Sequence, residues 1–123
     1  MMRKNFSGMT VEELVVHFTS IALAQSNAIS HDDNSKYNRL FDEMRRVEAE
    51  LKQRDGDQRR QLLPLLQHLN AQVRLKSAFA TLAVDRAVAL AALQKISDQN
   101  EYPEAADARG IMESLAEGRF KPI

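Results

Sequence analysis

Leu62-Leu-Pro-Leu-Leu-Gln-His-Leu-Asn70-Ala-Gln-Val73-Arg74-Leu-Lys-Ser77-Ala-Phe-Ala-Thr81-Leu82 is the stretch that decides the fold. Its first half places Leu62, Leu63, Leu65, Leu66 and Leu69 on the inward side of a helix over 58–69. Pro64 lies inside that run, so the helix either begins near it or kinks there, because proline lacks the N–H that an α-turn needs. Asn70 is a fair N-cap for a second helix over 71–83, carrying Val73, Leu75, Ala78, Phe79 and Leu82 at three- and four-residue steps. Two helices joined by so short a turn are antiparallel neighbours. The unit is a helical hairpin.

The same grammar continues on both sides. Thr10-Val-Glu-Glu13 is a capping-box pattern, and behind it Val11, Leu14, Val15, Phe18, Ile21 and Ala22 trace one buried stripe of a helix over 10–29. A polar turn at 30–35 leads to a helix over 34–54, with Tyr37, Leu40, Phe41, Met44, Val47 and Leu51 as a narrow stripe. Its other face alternates acids and bases at four-residue spacing, the pattern of a solvated surface. Asp55-Gly56-Asp57 stops it. Towards the C-terminus, Asp85 opens a helix through Ser97 whose alanines on most sides imply more than one neighbour. Tyr102-Pro103-Glu104 starts the last helix, with Ala105, Ala108, Ile111, Met112 and Leu115 inward and Gly118 at its end. Gly110 inside it points to a close helix–helix approach, since an interior glycine costs about 1 kcal/mol against alanine. No window alternates as a strand would. The expectation is an all-α chain of six helices in about three hairpins, stacked as a right-handed α–α superhelix: residues 1–9 as a flexible tail and 10–123 as a single domain.

Residues 62–82 resemble a HEAT-type repeat: a Leu/Pro-bearing first helix, a polar turn, then Val73-Arg74 followed by spaced alanines and a leucine. A longer similarity runs over 10–122. Thr10-Val-Glu-Glu-Leu, Val73-Arg-Leu-Lys, Ala80-Thr-Leu-Ala-Val-Asp85, Tyr102-Pro-Glu-Ala-Ala-Asp-Ala and Glu117-Gly-Arg-Phe-Lys-Pro122 resemble a small bacterial family. It is the domain of unknown function numbered two-thousand-and-nineteen. The resemblance implies HEAT-like hairpins and brings no activity, cofactor or catalytic residue with it.

Composition narrows the function further. The 123 residues hold 17 basic and 17 acidic side chains and no Cys, which removes disulfide scaffolds, thiolate chemistry and a global field for nucleic acid or anionic membrane. No apolar run approaches the ~20 residues of a membrane span and no leader pattern opens the chain, so the expected location is the cytoplasm. His17, His31 and His68 stand far apart, and His31-Asp32-Asp33 reads as a capping cluster rather than a metal site. His17, opposite the first helix's stripe, is expected to be exposed. There is no Gly-x-Ser-x-Gly elbow or glycine-rich phosphate loop, and the adjacent carboxylates Glu12 and Glu13 point to different helix sides, so they cannot form an acid–base dyad. The chain is expected not to be an enzyme and to need no cofactor or metal. Arg59, Arg60, Arg74 and Lys76 give a local run of four cations without an acid, a small phosphate footprint that disfavours nucleic acid as the partner.

A protein-binding scaffold is the reading that remains, with an unidentified protein partner held on a concave surface. The alternatives are an immunity or antitoxin-type binder of a bacterial toxin, or a HEAT-like nucleic-acid module. Arg74, Ser77 and Thr81 recur at three- and four-residue steps and are expected to form a partner-binding polar stripe opposite Leu75, Ala78, Phe79 and Leu82. The competing structural role for Arg74 is a tie to a carboxylate such as Asp85.

Overall fold

A computed structural model describes residues 5–123 and contains, among them, five α-helices, one 3-10 helix and no strand. The α-helices are α1 (Val11–Ser30), α2 (Asn34–Gln53), α3 (Ala71–Thr81), α4 (Arg86–Gln99) and α5 (Glu104–Ala116), with the 3-10 helix over Gln58–Gln67. The chain divides into two compact units, Met1–Gln61 and Leu62–Ile123, where one domain over 10–123 is expected.

The first unit is the α1–α2 hairpin. Thr10 and Glu13 form the full capping box: Thr10 Oγ1 accepts the Glu13 N–H at 3.1 Å, and the Glu13 carboxylate accepts the Thr10 N–H at 2.9 Å. Leu14, Phe18, Ile21 and Ala22 are buried, as their spacing predicts, and meet Met44, Val47 and Leu51 of α2 in the same unit. Asp33 caps α2 by accepting the Lys36 N–H at 3.0 Å, so the acid of the 30–35 turn has a structural task.

Two expectations fail in this unit. Residues 5–9 are not a free tail: Phe6 is buried, and Arg54 Nη2 donates to the carbonyls of Phe6 (3.2 Å) and Met9 (2.7 Å). The remainder of the expected tail, residues 1–4, lies outside the described residues. His17 is half-buried rather than exposed, 3.3 Å from Glu43 and 5.4 Å from the Phe6 ring. The docked Phe6 covers a position that the helix pattern alone assigns to solvent.

The 3-10 helix replaces the α-helix expected over 58–69. Pro64 offers no N–H and its ring would strike the carbonyl four residues back in an α-helix, while the residue before it is pushed out of the α region. The 3-10 run over Gln58–Gln67 is longer than the usual ~3–4 residues. Leu62 and Leu66 still face inward, but Leu69, expected with them, is 96% exposed.

In the second unit α3, α4 and α5 pack on one another. Leu66, Leu75, Ala78, Leu82, Ala89, Leu93, Ile96, Ala108 and Leu115 form one core. Phe79 and Phe120 stack on its edge with ring centroids 5.1 Å apart. Asn70 caps α3 through the N–H groups of Gln72 and Val73, and Asp85 caps α4 through that of Val88. The guanidinium of Arg109 closes the other end of α4, donating to the Ser97 carbonyl and hydroxyl (both 2.8 Å) and to Asn100 Oδ1 (2.6 Å). This satisfies groups that a helix C-terminus leaves without partners.

Gly110 corrects the sequence reading. It is exposed, and a Cβ built on it meets no atom within 4 Å, so no helix approaches there.

Candidate functional site

The polar stripe expected on α3 is not a surface. Ser77 and Thr81 are fully buried. Their hydroxyls donate back to the carbonyls of Val73 and Ser77, each at 2.8 Å, as serine and threonine do in helix interiors. The three- and four-residue steps are real, but the side they mark is covered.

Arg74 is tethered. Its Nη1 donates to Gln99 Oε1 at 2.8 Å, and Nη2 pairs with Glu101 Oε1 at 3.2 Å and reaches the Leu69 carbonyl at 3.4 Å. The carboxylate that holds it is Glu101 rather than the expected Asp85, whose carboxylate caps α4. The nearby Glu104 is buried in the first turn of α5. Burial pushes its carboxyl above the usual range, and the Asp107 and Glu101 charges add to this against a backbone hydrogen bond and Arg74, which pull it down.

Beside Arg74 lies a groove of about 240 Å³, lined by Leu66, Gln67, Arg74, Val88, Ala91, Ala92, Lys95 and Ile96. One wall is the 3-10 helix with the start of α3. The other is an α4 stripe in which Val88, Ala91, Ala92 and Lys95 recur at three- and four-residue steps. α4 is apolar on two sides. Ala89, Leu93 and Ile96 fill the core, whereas Ala87, Val88 and Ala91 are exposed, Val88 at 45%. The alanine-rich composition predicts neighbours on more than one side, and α3 and α5 cover only one. Exposed Leu69 follows the Leu66–Gln67 edge in the chain. No acid lines it, and with Arg74 held by Glu101 the charge it presents is that of Lys95, so its chemistry suits an apolar surface with an acidic edge.

The sequence hints at this site in two places, the alanine-rich helix opened by Asp85, expected to have more than one neighbour, and the leucines of 62–69, expected to face inward. The other candidates resolve into structure. Arg59 is paired with Asp57 at 2.6 Å, which together with the Arg74–Glu101 pair engages two of the four cations of the basic run. Among the described residues no three His, Asp or Glu side chains gather where a metal ion could be held. No helix among them is long and apolar enough to cross a membrane.

An all-helical module with an apolar groove beside α4 is what the described residues define. Residues 12–116 match the family described as a domain of unknown function (DUF2019), and the chain belongs to it. The crystal structure of the protein RPA1889 from Rhodopseudomonas palustris CGA009 is similar, with 39% identity, a TM-score of 0.95, and coverage of 98% of this chain and 100% of that one. No curated protein matches.

Proposed function

We propose that the protein is a non-catalytic, HEAT-like docking module of the cytoplasm that binds a protein partner through the groove between the 3-10 helix and α4. The observation that carries this reading is the second apolar face of α4. Val88 and Ala91 stand in solvent beside a groove floored by Leu66 and Ile96, and burying such a patch contributes about 25 cal/mol per Å² removed from water. The recognition surface is therefore this groove rather than a stripe of Ser77 and Thr81, with exposed Lys95 at its rim to orient an acidic edge on the partner. The partner chemistry that fits is an amphipathic helix with an apolar stripe and flanking acids, laid into the groove.

Capture from the native host with wild-type and Ala91→Arg baits tests it. The arginine fills the groove without touching the core, so the variant should fold normally by circular dichroism and lose the partner that wild type retains. A fully folded Ala91→Arg protein that captures the same partner with equal recovery would overturn the reading.

A further inference from the structure

One apolar, acid-edged helix face of the required kind belongs to the chain itself. On α1, Glu12, Val16, Ser20 and Leu23 follow one another at four- and three-residue steps, all exposed, Val16 at 67% and Leu23 at 42%. A shallow depression over Met9, Glu12, Glu13, Val16, His17 and Ser20 continues the face. It holds two acids and no Lys or Arg, the reverse of the groove on α4. Val16 and Val88 are both solvent-exposed.

We infer that the α1 face of a second copy of this chain is an occupant of the α4 groove, which rests on the docking reading above and names its partner. Helices share a rise of 1.5 Å per residue, so an antiparallel pairing keeps one register along its length. With Glu12 set opposite Lys95, Val16 falls opposite Ala91 and Ser20 opposite Ala87. The β-branched Val16 then seats against small residues, where two backbones can approach closely. Glu12 and Lys95 have no ion-pair partner among the described residues, so each brings an unspent charge to the contact. Glu13 contributes less, because its carboxylate is engaged by the Thr10 N–H. The contact is heterologous, one patch meeting a different one, and it is small, so association is weak and concentration-dependent. It also occupies the same groove as a foreign helix, which makes the two mutually exclusive.

Sedimentation of the full chain over concentrations from about 10 µM to about 1 mM at low salt tests the inference. Average mass should rise with concentration for wild type and fall back as salt screens the charge pair. Glu12→Lys and Lys95→Glu should each weaken association at least ~10-fold by setting like charges opposite one another, and the double exchange should restore it. A wild-type protein of monomer mass throughout would overturn the inference, as would single reversals that leave association unchanged or a double exchange that fails to recover it. Ala91→Arg separates this from the docking reading. If wild type is monomeric, or Ala91→Arg self-associates like wild type, while Ala91→Arg still loses its captured partner, the self-contact alone falls; if Ala91→Arg both self-associates and captures its partner like wild type, both fall.

Discussion

Arg74 and Glu101 form an ion pair, Nη2 to Oε1 at 3.2 Å, that fastens α3 to the turn between α4 and α5. The Arg74 side chain is only 14% exposed, whereas that of Glu101 is half in water. The carboxylate left behind by truncation is thus resolvated rather than stranded. Arg74→Ala should cost roughly 1 kcal/mol in urea denaturation, most of it from the surrendered Gln99 and Leu69 contacts. A loss above about 3 kcal/mol would mark a fully buried pair instead. No loss at all would show that the tether is idle.

Gly110 sits on the outer side of α5 with nothing near its absent Cβ. Gly110→Ala should therefore stabilise the protein by about 0.5–1 kcal/mol, through lost unfolded-state freedom and better helix propensity. A lower melting temperature for the variant would mean that another surface approaches that position.

Glu104 makes stability depend on pH in an unusual sense. Its folded pKa lies above its unfolded one, so the protonated form carries a stabilisation that is complete below the ordinary glutamate value of about 4.3. That stabilisation is lost as pH rises through the folded value. The favourable place of a carboxylate in the first turn of α5 opposes this, and burial outweighs it. Glu104→Gln should melt higher than wild type at pH 7, with the difference shrinking as pH falls towards 4. A variant less stable than wild type at pH 7 would show that the ionised carboxylate is needed.

The helices were legible because their signals are local. Thr10 with Glu13, Asn70 and Asp85 each act on N–H groups two or three residues away, and the stripe of Leu14, Phe18 and Ile21 is a property of one helix. What escaped depends on contacts made at a distance in the chain. Phe6 folding back over α1 half-buries His17, and the 3-10 geometry around Pro64 turns Leu69 outward. Ser77 and Thr81 illustrate the same limit: a small polar residue in a helix reads as surface until its hydroxyl is seen bonded to its own helix. The candidate groove was legible in composition and not in place. The alanines of α4 announced an apolar surface on more than one side, and only packing could show which side stays open.

Photocrosslinking in the native host tests the docking role of the groove most directly. A photoreactive phenylalanine analogue at Val88 lies on the α4 wall, and the same analogue at exposed Ala106 on α5 serves as the control. The account predicts a discrete protein adduct from position 88, either a partner or a second copy of the chain, abolished by Ala91→Arg and absent from position 106. Adducts from position 106 with none from position 88, or a position-88 adduct that survives Ala91→Arg, would contradict it.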